Sequence, residues 1–466
     1  MRLSRPLAAG LAALALAACS LAPAYSPPAT PMAVAYKEQG PWTPAAPADA
    51  QPRGQWWTMF GDPVLDDLEA RAARANPTLA AAVAAYDQAR ALAAQARAGL
   101  TPEVDAVVLD QRQRRSVEAP LRVGGPSEFA THQLGVTAAY EIDLWGRLRN
   151  LAAGAGDRAQ ASAADLTSAR LSMQADLADD YLTLRGLDAQ LRLLETTAVA
   201  YQRALDLTRI RHDQGDASGL DVARAETQLS TLKAQITDLG AQRALVEHAV
   251  AALLGESASR FSLAAVDVPL PQPKVAVSEP STLLQRRPDI AAAERRAAAA
   301  NADVGVARAA LFPALTLDGA AGWQTGGGGG LISAPNTFWL LGPQLVGAIF
   351  DGGRRRAGVQ ASRAAFDQAS ANYRGVVLNA FRDVEDQMAL ANRLAAEAKD
   401  QEDAVVAARR GVALADTRYR QGVATYLDVV TAQTAALSAE QAAIQLNTRR
   451  LQASVNLTRA LGGAWS

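Results

Sequence analysis

Two aspartates stand out by their spacing. Asp221 and Asp428 lie in matching stretches, 211–226 and 418–433, at a constant offset of 207 positions. Gly215 matches Gly422, Leu220 matches Leu427 and Ala225 matches Ala432 at the same offset. In each copy a long helical pattern stops at Gln-Gly, and a new one starts at Ser218 or Thr425. Glycine suits the left-handed residue that ends a helix. Ser or Thr followed three residues later by an acid is the spacing of a capping box. The chemistry open to both carboxylates is therefore to bind free N–H groups at a helix start, where the macrodipole also favours them. Gly215 and Gly422 would let another backbone approach these turns closely. Tyr419 falls on an apolar seam, where packing is the default role of an aromatic side chain.

Other reactive residues form no site. His132, His212 and His248 have no ligand spacing among them. The glycine run 326–330 lacks the Gly-Lys-Ser/Thr ending of a phosphate loop. No nucleophile–base constellation is visible, so neither an enzyme nor a cofactor is expected. Net charge is −1, which gives no basic surface for nucleic acid. Cys19 is the sole cysteine, which rules out a disulfide framework or a cysteine metal cluster. It closes a leader in which Arg2 and Arg5 precede an apolar run ending Leu-Ala-Ala-Cys. That is an export signal over residues 1–18, with Cys19 as a lipidation candidate. Beyond it no run reaches the roughly 18 apolar residues of a membrane helix. A membrane-inserted form would have to use strands.

The elements that position the turns repeat along the 466 residues. Residues 19–61 read as a lipidated start and an extended, Pro/Ala-rich arm. Asp62-Pro63 caps a helix running to about Leu100, with a possible break at Asn76-Pro77. A candidate strand over 103–114 follows, then a clear alternation from Leu134 to Leu144. From Gly146 to about Gln214 there is no proline, and Leu184, Leu187, Leu191, Leu194, Ala198, Tyr201, Leu205 and Thr208 mark a coiled-coil seam. Leu229, Leu232, Ile236, Leu239, Val246, Val250 and Leu253 continue that rhythm after the turn, with Arg243 interrupting it. Residues 256–280 form a Pro-rich connector. The second half repeats the first, with strands near 315–323 and 338–350 and a long helix from Gly352 to Gln421. The repeats are thus 62–255 and 281–466, each helix, β-hairpin, long helix, turn, helix.

Each repeat supplies one hairpin. A lone hairpin is marginal in water, and open strand edges are not tolerated in lipid. Membrane barrels begin at about eight strands, so at least two chains must contribute staves. Tyr140, Trp145, Trp323, Phe338 and Trp339 near the strand ends are candidates for aromatic girdles. Arg354, Arg355 and Arg356 open a helix against its dipole, which suits either lipid headgroups, acidic groups in a lumen or plain solvation. The alternative is a soluble four-stranded sheet packed on the helices.

Several motifs together resemble the outer-membrane factors of tripartite efflux pumps, the TolC type, and within them the NodT-type, OprM-like lipoproteins. They are Leu16-Ala17-Ala18-Cys19, Trp56-Trp57 with Asp62-Pro63-Val64-Leu65, and Asn76-Pro77 with its echo Arg287-Pro288-Asp289. Arg308 to Pro313, Phe350-Asp351-Gly352-Gly353, and Tyr419 to Gly422 with Leu427-Asp428-Val429 complete the set. The resemblance implies a mainly α fold with transmembrane β. In it a homotrimer closes a twelve-stranded β-barrel in the outer membrane and a long α-helical barrel in the periplasm. It implies a passive exit duct, with outer-membrane lipid around it and a periplasmic adaptor protein and an inner-membrane RND pump as partners. It also implies a gate at the helix tips, with Asp428 in a ring and Tyr419 facing an inter-helix carboxylate at Asp221. Three copies of Asp428 around an axis would make a negative constriction and raise its pKa. The sequence departs from the family gate at Thr431, where an acid is used elsewhere, and at Ala424, where some members carry arginine. Gly215 and Gly422 fall where the adaptor would touch. A duct for protein secretion and a pore-free periplasmic coiled-coil scaffold are the competing readings.

Overall fold

The computed structural model describes residues 20–30, 36–38, 54–114, 116, 127–266, 271–273, 275, 286–327 and 330–463. Cys19, the leader, most of the first hairpin loop and much of the connector lie outside the described residues. The first repeat contains helices α1 (Pro63–Ala75) and α2 (Pro77–Ala98), strands β1 (Glu103–Arg114) and β2 (Glu128–Ile142), and helices α3 (Arg147–Asp213) and α4 (Gly219–Leu253). The second contains α5 (Pro288–Ala309), β3 (Ala314–Thr325), β4 (Thr337–Val346), α6 (Arg354–Arg420) and α7 (Tyr426–Ala460). Asp62 accepts from the Val64 N–H, with Pro63 at the first helical position, so α1 starts where the sequence places a cap. The break at Asn76 is real. Its side chain accepts from the Leu79 N–H and donates to the Leu253 carbonyl, capping α2 while tying it to the end of α4. At 1.5 Å per residue, α3 and α6 each run about 100 Å.

The chain divides into two compact units, and each draws on both repeats. One comprises residues 1–29, 85–163 and 292–374 and holds the strands. They form a single antiparallel meander in the order β1-β2-β3-β4. Its middle pairing joins the two repeats, with His132 opposite Thr325 at one end and Ile142 opposite Leu315 at the other. The extended arm runs through this unit. Asn301 donates to the Pro23 carbonyl, Tyr25 to the Glu294 carboxylate and Ser20 to the Asn150 side chain.

Two strand limits differ from the sequence reading. β2 begins at Glu128, ahead of the alternating run, because β1 is long enough to pair back to Arg114. β4 stops at Val346, its last residue with a partner on β3, which itself begins just after Pro313. Ile349 and Phe350, read as strand, are fully exposed beyond it.

The other unit comprises residues 30–84, 164–291 and 375–466. Its core packs Trp56, Trp57, Phe60, Leu65 and Leu68 on Leu177, Tyr181 and Leu182 of α3. Nearer the turns, Leu194, Tyr201, Leu205, Leu229 and Leu232 form a second cluster, the seam expected from the three–four spacing. Arg243, the residue that interrupts the α4 seam, is a built polar site. It donates to Asp188 at 2.6 Å and to the Leu263 carbonyl at 2.6 Å, while Arg185 bonds Asp188 and the Ala264 carbonyl. Buried charges are tolerated when paired and hydrogen-bonded in this way, and here they hold the start of the connector to α3 and α4.

Candidate functional site

In the strand-bearing unit, the register sorts side chains onto two faces, because neighbours along a strand point to opposite sides. One face collects Val104, Val108, Leu134, Val136, Tyr140, Ile142, Leu315, Leu317, Trp323, Trp339, Leu341 and Leu345. The other carries Glu103, Asp105, Gln111, Gln133, Thr137, Glu141, Thr316, Asp318, Gln324 and Gln344. From Leu315 to Trp323 the apolar face spans about 26 Å at 3.3 Å per residue, close to the ~25 Å apolar band of membrane barrels. Trp339 is 80% exposed on that face. Of the expected girdle residues, Tyr140, Trp323 and Trp339 share the apolar face. Phe338 has the opposite parity, and Trp145 lies past the strand, stacked on Phe312 with its indole N–H on the Pro313 carbonyl. Among the described residues β1 and β4 each pair on one side only, which leaves the sheet two open edges.

In the helical unit, both turns have the geometry that their spacing predicts. Gly215 and Gly422 take φ of +85° and +73°. Each is followed by an N–H that reaches back into the helix, Asp216 to the Arg211 carbonyl and Val423 to the Arg418 carbonyl. Asp221 exchanges bonds with Ser218, accepting from its N–H and hydroxyl while the Asp221 N–H bonds Ser218 Oγ. Asp428 accepts from the Thr425 N–H and hydroxyl, both at 2.8 Å. Those bonds, backbone first, hold the Asp428 carboxyl below its ordinary range, with Arg418 adding to the effect. In the single chain the shift is therefore opposite to the rise expected from a carboxylate ring, because the cap bonds stabilise the anion.

The resemblance paired Tyr419 with Asp221, and the single chain arranges them otherwise. Asp221 is engaged by Ser218 and, at 3.7 Å, by Arg224. Among the described residues no hydrogen bond joins it to Tyr419. The Tyr419 ring instead lies under the Arg211 guanidinium at 4.8 Å and against Tyr426 at 5.7 Å. Tyr426 is 4% exposed, and burial pushes its hydroxyl pKa up. Thr431 turns its hydroxyl back to the Leu427 carbonyl. A Cβ on Gly215 or Gly422 would meet nothing within 4 Å, so the tips are open to approach. Beside them, Leu220, Thr227, Leu427 and Val430 line an apolar groove of about 470 Å³.

Sequence reasoning missed Glu69. It is 1% exposed on α1, with both carboxylate oxygens unpaired, and burial pushes its pKa up to about 9. Its signal was present, since Leu65, Leu68, Glu69 and Ala72 follow the one-face helical spacing. Among the described residues no group of acids, histidines or cysteines could hold a metal ion, and no helix is long and apolar enough to cross a membrane.

A sheet with one apolar face of membrane height, in a chain of paired helices with capped turns, fits the class of outer-membrane channels. The chain belongs to the outer membrane efflux protein family, whose profile matches residues 69–256 and again 280–463. It is 35% identical over 464 residues to the pyoverdine export outer membrane protein OpmQ of Pseudomonas aeruginosa, covering 97% of this chain and 96% of that one. It is 34% identical to outer membrane protein OprJ of the same organism, covering 98% and 95%. The outer-membrane channel OprN superposes with a TM-score of 0.88 at 30% identity, over 96% of this chain and all of the other. The protein is an outer-membrane efflux channel of the TolC-like fold.

Proposed function

We propose that three copies of this chain close a twelve-stranded barrel and form the exit duct of a tripartite RND-type efflux system. A periplasmic adaptor and an inner-membrane pump would be its partners. The observation that carries this reading is the open-edged sheet with one apolar face. Unpaired edges are unstable in lipid, so the β4 edge of one copy pairs with the β1 edge of the next. Outer-membrane lipid then contacts the apolar face, and the polar face lines the lumen. Ser20 is bonded to Asn150 in the first turn of α3, and Cys19, next to it in sequence, is the lipid-anchor candidate. The adaptor docks on the tips around Gly215 and Gly422, where Leu220, Val423 and Leu427 are exposed. Small molecules are the cargo class, as the names of relatives concerned with pyoverdine and toluene suggest.

Asp221, Tyr419 and Asp428 set the gate. The cap bonds keep Asp428 ionised at neutral pH, so three copies favour cations. Recording from the purified full-length protein in planar bilayers under a KCl gradient tests this. The reading expects a small, cation-preferring conductance whose preference falls in Asp428→Asn. A large, non-selective pore, or selectivity unchanged in that variant, would count against the gate.

A further inference from the structure

We infer that Arg211 is a positioning residue of the gate, holding the tips closed by seating its guanidinium on the face of Tyr419. The inference rests on the tip-gate reading above. Arg211 lies in the last turn of α3, and Tyr419 in the last turn of α6. The contact therefore joins the first helical hairpin to the second. At 4.8 Å from the ring centroid it is within the range of cation–π attraction. Tyr419 is in turn backed by Tyr426, which is buried in the seam with Tyr201 and Leu205. The ring thus touches both the cation and an aromatic that is itself buried in the seam.

Other candidates for a charged tie at this level are already engaged or missing. The Asp221 carboxylate is taken by Ser218 and Arg224, and Arg209 pairs with Glu226 inside the first hairpin. Arg420 pairs with Asp416 on its own helix. Ala424 and Thr431 bring no charge. The nearby bond between the hairpins, Gln228 to Gln433 at 3.3 Å, is neutral. Among the described residues near the turns, Arg211 on Tyr419 is the charged contact that crosses from one hairpin to the other. It uses the ring and not the phenol hydroxyl, which separates it from a hydroxyl–carboxylate latch.

The difference is measurable. Single-channel recordings of the full-length protein would compare wild type with Arg211→Gln, Arg211→Lys, Tyr419→Leu and Tyr419→Phe. Each variant is first checked for unchanged elution in detergent. The expected result is a several-fold rise in open-state conductance or occupancy in Arg211→Gln and Tyr419→Leu. Tyr419→Phe keeps the ring and should open the gate less than Tyr419→Leu does, and Arg211→Lys should recover part of the closure lost in Arg211→Gln. Opening by Tyr419→Phe as large as that by Tyr419→Leu would overturn the proposal in favour of a hydroxyl latch. Opening by Tyr419→Leu without Arg211→Gln would overturn it in favour of plain packing. If no tip substitution changes the conductance, Asp428→Asn included, the gate reading itself fails.

Discussion

The two helix tips share a turn and differ in what surrounds it. Both end a helix on a left-handed glycine and restart it on a Ser or Thr capped by an aspartate. At the 207-residue offset, however, Tyr419 corresponds to His212 and Tyr426 to Gly219. His212 folds back on its own turn, with its ring nitrogen 2.9 Å from the Ala217 carbonyl. Tyr426 instead fills the seam, and Tyr419 reaches the Arg211 of the other hairpin. The repeated residues build the turn, while the aromatics of the contact that joins the tips come from the second tip alone. Local spacing fixes the shape of a tip, and its use depends on side chains that the repeat does not copy.

The largest test of this difference is Tyr426→Ala. Truncating a buried aromatic costs about 3–5 kcal/mol, so hydrogen exchange at the start of α7 should accelerate strongly. At the matching first-tip position, Gly219→Ala should do the reverse. The added methyl meets only His212 at 3.8 Å, and alanine is favoured over glycine by about 1 kcal/mol inside a helix and by less at this first helical position. Equal slowing or equal acceleration at both tips would break the comparison.

A variant remote from both tips sharpens it. Glu69 has a folded-state pKa of about 9, raised chiefly by burial and then by Asp66. For an acid with a raised folded pKa, the unfolded chain loses its proton first as pH rises. Stability is therefore fully present below the ordinary glutamate pKa and declines from there up to about 9. Glu69→Gln should stabilise the protein at pH 7 by on the order of 2 kcal/mol, and by nothing near pH 4. Thermal melts in detergent at the two pH values check this, and tip exchange should respond alike at both turns.

Smaller effects follow from the caps. Ser218→Ala and Thr425→Ala should each cost about 1 kcal/mol, read as faster exchange in the first turn of α4 or α7. Similar losses would show that the turn chemistry is shared. The least effect belongs to Arg224→Ala, whose half-buried, 3.7 Å pair with Asp221 is worth under about 1 kcal/mol. It should touch the first tip alone.

What could be read from the sequence was local or periodic. Glycine, cap and acid within eight positions define each turn, and alternation set which strand residues share a face. Partners distant in sequence could not be read that way. Arg243 broke a seam visibly, but its partner Asp188 lies on another helix and Leu263 in the connector. The end of β4 was set by where β3 begins, not by its own apolar run. Resemblance pointed Tyr419 toward Asp221, while packing placed Arg211 over the ring. Glu69 has an apolar-face position but a charged side chain, and only burial shows which of the two governs.

The account turns on copies of the chain completing one another's sheet. Native mass spectrometry of the full-length protein extracted in mild detergent measures that directly. Three chains per particle is the predicted result. A stable single chain, carrying no detergent on its apolar strand face, would contradict it.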